Sequence, residues 1–117
     1  MIQKRNYLAG IAAEQSVAQT YRNGGCTIQH IRWCAMGGEL DIVAHDNGQL
    51  VFCEVKHSKT FDQAAQYVSP AKQQRIMQTA QAYLAKEGYN QNTDIRFDVA
   101  LVDGQGQTHL IKNAFMT

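Results

Sequence analysis

Apolar residues recur along this chain at two different periods, and the changes of period mark its elements. Over residues 7–23, Gly10, Ala13, Glu14, Val17, Ala18 and Tyr21 follow 3.6-residue spacing, and Gly24-Gly25 come next. That pattern predicts a helix ended by the glycine pair. Residues 27–33 alternate as a strand does, with Ile31 and Trp33 on one side and His30 and Arg32 on the other. Met36-Gly37-Gly38 turns the chain into a second alternating run. There Glu39, Asp41 and Val43 are expected on one face, and Leu40, Ile42 and Ala44 on the other. A third run sends Phe52, Glu54 and Lys56 one way and Val51, Cys53 and Val55 the other.

Between the second and third runs lies Asn47-Gly48, two residues that tolerate the positive φ of a tight hairpin turn. Counting outward from it sets Asp46 opposite Gln49, Asp41 opposite Glu54 and Glu39 opposite Lys56. Opposed residues have Cβ atoms roughly 4.5–5.5 Å apart. Residues 58–68 are polar and predict a loop with one helical turn. Ser69-Pro70 starts a helix, with Ser as cap and Pro in the first turn. It runs to about Glu87, with Ile76, Ala80, Tyr83 and Leu84 inward and Gly88 as its stop. Residues 95–102 alternate again, Phe97, Val99 and Leu101 against Arg96, Asp98 and Ala100. Asp103-Gly104-Gln105-Gly106 turns the chain, and residues 108–115 form a last strand. Helix, three strands, helix and two strands give an α/β or α+β fold, a mixed sheet of about five strands flanked by helices.

Composition narrows the class. The 117 residues suit one domain, residues 1–117, with a real core. Hydrophobic residues at 44% and charged residues at 18% are ordinary for a soluble globular protein. No apolar run approaches a membrane span, and the first six residues lack the apolar core of a signal peptide, so the expected location is the cytoplasm. Three cysteines without CxxC spacing argue against a disulfide framework and against zinc. Cys53, alternating with Val51 and Val55, reads as a small core residue. The net charge of +1 gives no bulk signal for nucleic acid, but Lys56 with Lys59, and Lys72 with Arg75, form local clusters.

Candidate chemistry concentrates on the acidic hairpin. Two carboxylates pressed together repel unless a cation lies between them. A hard ion such as Mg²⁺ takes oxygen ligands and keeps several waters, so two carboxylates suffice. Lys56, one strand period beyond Glu54, is spaced to touch a phosphate or a water. The same alternation also fits an ordinary solvent face in which Glu39 pairs with Lys56, and the pattern alone does not separate the two readings. Glu14 adds a carboxylate on an otherwise apolar helix stripe, where a buried charge needs a partner. Lys72 and Gln73 fall in the first turn of the second helix, where backbone N–H groups favour anions. The four histidines show no metal-ligand spacing, although His57 follows the lysine closely enough to reach a phosphate. Trp33 reads as core, and Arg96 with Asp98 as an ion pair on a strand.

The ordered set of these residues resembles the PD-(D/E)xK restriction-endonuclease-like nucleases, with Asp41, Glu54 and Lys56 in the three core positions. Within that group it is most similar to the YraN-like family of bacterial proteins, small relatives of Holliday junction resolvases. The shared pattern runs from Gly10-x-x-x-Glu14 through Gly38-Glu39-Leu40-Asp41-Ile42 and Phe52-x-Glu54-Val55-Lys56 to Lys72 and Arg96-Phe97-Asp98. Two departures stand out. Ser58 occupies a position where the family usually carries Arg, and only Arg32 remains of an Arg-Asn-x-Arg segment.

The resemblance implies a restriction-endonuclease-like α/β fold of order αβββαββ. It implies Mg²⁺ or Mn²⁺ held by Asp41, Glu54 and the backbone carbonyl of Val55. Lys56 would act on the attacking water or the phosphate, Glu14 would join the site, and Glu39 would support it. Arg32, His57, Lys59, Lys72 and Gln73 become candidate nucleic-acid contacts. The expected activity is metal-dependent endonucleolytic cleavage of DNA, including branched or structured DNA. A junction substrate would call for a homodimer, and no membrane partner is expected. The alternative is a nuclease-like fold that binds nucleic acid or protein without cutting.

Overall fold

The computed structural model describes residues 2–57 and 68–115. Its elements are α1 (Ile2–Asn23), β1 (Thr27–Ala35), β2 (Gly38–Asp46), β3 (Gln49–His57), α2 (Pro70–Lys86), β4 (Ile95–Val102) and β5 (Thr108–Phe115). This is the expected order αβββαββ. The helix predicted from residue 7 begins five residues earlier. The predicted loop and helical turn fall mostly on residues 58–67, outside the described residues, and so does Lys59.

The strands form one sheet in the order β1-β2-β3-β4-β5. Only β3 and β4 are parallel, and the other neighbours are antiparallel. A parallel neighbour requires a crossover, and α2 lies in that connection. Ser69 caps α2, its side chain accepting from the Lys72 N–H over 3.1 Å, and Pro70 follows at the first position. Gly88, at φ +78°, ends the helix in the left-handed conformation that glycine adopts most cheaply.

Among the described residues, each face of the sheet carries one helix. Against α2, Leu40, Val43, Phe52, Phe97, Val99 and Leu101 pack with Ile76, Ala80, Tyr83 and Leu84. Against α1, Ile42, Ala44, Val51, Cys53, Ala100 and Val102 pack with Ala13, Val17, Ala18 and Tyr21. The expected faces of β3 and β4 hold. Those of β1 and β2 do not: Leu40 joins Val43 on the α2 side, and Ile42 lies on the α1 side. On β1, Trp33 and His30 meet the Tyr83 ring of α2, while Ile31 packs with the α1 cluster. The physical cause on β1 is Arg32, whose φ of +60° turns the strand over and resets its alternation. Arg32 and Asp41 stand between the paired positions Ile31↔Ile42 and Trp33↔Leu40, so both strands change face at one place.

Asp98 is fully buried on the α1 side. It accepts from Arg96 at 2.9 and 3.1 Å, from the Tyr21 hydroxyl at 2.7 Å and from the Asn113 N–H at 2.9 Å. Arg96 also reaches Asp46 at 3.1 Å and Gln49 at 3.2 Å. The Arg96-Phe97-Asp98 run thus ties the hairpin, β4, β5 and α1 together as a buried ion-pair network. Among the described residues, no helix is long and apolar enough to cross a membrane.

Candidate metal centre

The acidic hairpin turns at Asn47 and Gly48, whose φ values of +52° and +91° fit the predicted two-residue loop. The register follows as expected from Asp46↔Gln49 to Ile42↔Cys53, and the paired residues end there. Asp41 and Glu54 stand one step beyond. At this point the Val55 N–H donates to the Asp41 carboxylate over 2.8 Å, a side-chain bond where a ladder bond would otherwise continue. A strand residue sends its N–H and C=O to the same side, so the Val55 carbonyl leaves the chain on the β2 side as well.

Glu54 is buried and faces α2, where the Lys72 ammonium lies 3.5 Å from it. Glu54 stands close enough to Asp41 to act on that carboxyl. Burial, and then this neighbour, push the Asp41 carboxyl up to about 8, against the opposing pull of the Val55 N–H and Lys72. Two acids held this closely are what a bound cation would relieve.

Asp41 also belongs to a second acidic set. One carboxylate oxygen each of Glu14, Glu39 and Asp41 lie within 4.8 Å of one another. Glu14 is buried, and Arg32 donates its Nε–H to it. Burial raises the Glu14 carboxyl, partly offset by that bond. Gly10, one turn earlier on α1, lies beside the guanidinium: a Cβ there would be in ordinary contact, 3.5 Å from an Arg32 nitrogen. Glu39, expected opposite Lys56, instead faces Cys34 of β1, whose thiol approaches its carboxylate at 3.9 Å. No Glu39–Lys56 ion pair forms among the described residues, because the β2–β3 pairing has ended before these positions meet.

A cleft of about 270 Å³ opens between these acids and α2. Glu39, Asp41 and Glu54 line the sheet side, and Lys72 and Arg75 line the helix side. Gly38 forms the lip, and a Cβ there would come within 2.1 Å of the Thr79 hydroxyl, so only glycine admits this close approach. Arg75, expected only as part of a cationic cluster with Lys72, is a cleft residue too, and its i, i+3 spacing from Lys72 puts the two on one helix face. Lys56 is half-buried on the Glu54 face, paired with Leu101.

The other candidates are dispersed. His57 lines a different cavity, of about 300 Å³, against α1 with Ala13, Ser16 and Val102. Arg32 is engaged with Glu14, and the Gln73 amide donates to the Val68 carbonyl at 3.2 Å. The donor set fits a hard divalent cation, being all oxygen and net acidic.

Residues 13–102 match the Uncharacterised protein family UPF0102. The chain is 43% identical over 108 residues to a UPF0102 protein of Roseobacter denitrificans, covering 92% of this chain and 84% of the relative. It is 42% identical over 111 residues to one of Ruegeria pomeroyi, with 95% and 90% covered. A third, from Cereibacter sphaeroides, is 41% identical over 110 residues, with 94% of both chains covered. The matched region takes in all the cleft residues described above. The chain therefore belongs to the family UPF0102, the YraN-like family.

Proposed function

We propose that this protein is a metal-dependent endonuclease hydrolysing phosphodiester bonds of DNA, with branched or otherwise structured DNA as its substrate. The observation that carries this reading is Asp41, close to Glu54, Glu39 and Glu14, in a cleft walled by Lys72 and Arg75. Asp41, Glu54 and the Val55 carbonyl hold Mg²⁺ or Mn²⁺, with Glu14 and Glu39 completing the acidic surround. Such an ion, when bound, polarises a phosphoryl oxygen and lowers the pKa of water. Lys56 supplies positive charge where negative charge grows on the phosphate, or orients the attacking water. Lys72 exchanges its contact with Glu54 for the substrate phosphate, at a helix start already suited to anions. A junction substrate presents two strands for cutting, so a homodimer is expected with it.

The test is cleavage of single-stranded, duplex and four-way-junction DNA with Mg²⁺ or Mn²⁺. Cutting by the parent protein, abolished by Asp41→Asn and by Lys56→Ala, supports the proposal. No cutting of any substrate with either ion sinks it.

A second reading, a binding module that does not cut, is favoured by one observation. Lys72 on Glu54 and the Val55 N–H on Asp41 already supply partners to these carboxylates without any ion. It predicts salt-sensitive DNA binding that persists in Asp41→Asn and is indifferent to metal.

A further inference from the structure

The cleft does not end at the carboxylates. Past Gly38 it runs into a second depression of about 260 Å³, walled by Met36, Arg75, Gln78 and Thr79 and sharing Gly37, Gly38 and Arg75 with the first. The groove thus follows one face of α2 from Lys72 to Gln78, roughly 9 Å at 1.5 Å per residue.

Its far end is unusual. Met36 is 89% exposed, and with Leu8 it is one of two large exposed apolar residues among the described residues. A lone exposed methionine is unremarkable, but this one occupies the tip of the β1–β2 hairpin at φ +54°, followed by Gly37 at +78°. The β2–β3 turn fills the equivalent position with Asn47, a residue that tolerates positive φ. Met36 therefore combines a backbone conformation unfavourable for its type with an apolar side chain left in water. It does so on a turn bound on both sides by paired strand residues, beside an arginine and in line with the acidic centre.

We propose that this groove receives the strand flanking the scissile phosphate, with Met36 against the face of an unstacked base and Arg75 on a backbone phosphate. The proposal rests on the nuclease reading and adds a substrate class: DNA whose bases are unpaired beside the cut site, as at a flap, a junction or a single strand. Stacked duplex hides its base faces, whereas an unstacked base offers an apolar surface that covers the methionine. Apolar wedges of this type, methionine included, are a general device for engaging separated base steps.

The experiment measures binding by fluorescence anisotropy in Ca²⁺, using a single-stranded 12-mer, a flap and a blunt duplex. The proteins are the parent, Met36→Asn and Arg75→Ala, with thermal melts to verify folding. Met36→Asn keeps a turn-compatible residue. It is expected to weaken single-strand and flap binding by about fivefold or more and leave duplex binding unchanged. Arg75→Ala is expected to weaken binding to all three and to lower the salt slope by about one. Unchanged flap and single-strand binding in Met36→Asn, or equal loss on duplex, overturns the inference. If the parent nevertheless cuts DNA in an Asp41-dependent manner, the nuclease reading survives that failure. If the parent neither binds nor cuts, both fall.

Discussion

The Val55 N–H donates to the Asp41 carboxylate over 2.8 Å at the step where regular β2–β3 pairing stops. The bond fixes the Asp41 side chain at the end of the ladder, where the proposed ion would bind. Asn preserves the acceptor and removes the charge next to Glu54. Asp41→Asn is therefore expected to abolish metal binding yet leave the metal-free protein as stable as the parent, or more so by about 1 kcal/mol. Thermal melts with EDTA and with Mn²⁺ check this: the parent gains stability from Mn²⁺ and the variant does not. A drop of several degrees in the EDTA melt would count against this account.

The pH dependence follows from the same acid. The folded state raises the Asp41 carboxyl to about 8, above the roughly 3.9 of a free aspartate. The folded chain thus binds more protons than the unfolded chain between these values. Its contribution to stability is full below about 4 and is lost as pH rises through about 8. In EDTA, the melting temperature is expected to fall across that window, and Asp41→Asn is expected to flatten the slope. A divalent ion displaces the proton, so Mn²⁺ affinity measured by calorimetry should rise with pH to about 8 and then level off.

Arg32 holds the buried Glu14 carboxylate. Arg32→Ala leaves that acid without its guanidinium partner and is expected to cost about 1–3 kcal/mol in urea unfolding. Adding Glu14→Gln should recover part of the loss, since a neutral amide is cheaper to bury. An additive double variant would show that the two residues do not interact energetically.

Gly38 admits Thr79 at a distance no side chain tolerates. Gly38→Ala forces the hairpin away from α2 and is expected to cost about 1–3 kcal/mol. Thr79→Ala in the same chain removes the hydroxyl that a Cβ would strike, and should restore some of the stability. The parent-like single variant, rather than the rescue, is the outcome that contradicts the packing.

Asp98, despite its place in the shared motif, serves the core. Asp98→Asn weakens a buried pair with Arg96 and is expected to destabilise by about 3–5 kcal/mol, with Mn²⁺ affinity of the folded fraction retained. Loss of metal binding without loss of stability would instead move Asp98 into the site.

Local chemistry alone was enough for much of this molecule. Ser69-Pro70 and Gly88 bound the second helix because capping and left-handed glycine are local effects, and Asn47-Gly48 fixed the hairpin register by the same logic. The alternation of β3 and β4 named their faces because one side chain period governs an unbroken strand. That Asp41 and Glu54 come close was legible from the hairpin register, whereas Glu14 beside Asp41 was implied only by the family resemblance. Tertiary structure decided the rest. Arg32 in the left-handed region reverses β1, and the sheet changes face beside Asp41, which no alternation count anticipates. The end of the β2–β3 ladder released Glu39 from Lys56 and gave it to Glu14 and Asp41. The approach of α2 over Gly38 brought Arg75 to the cleft and put Met36 at its far end. Each of these depends on contacts between residues distant in the chain, where packing and paired charges, rather than local propensity, set the geometry.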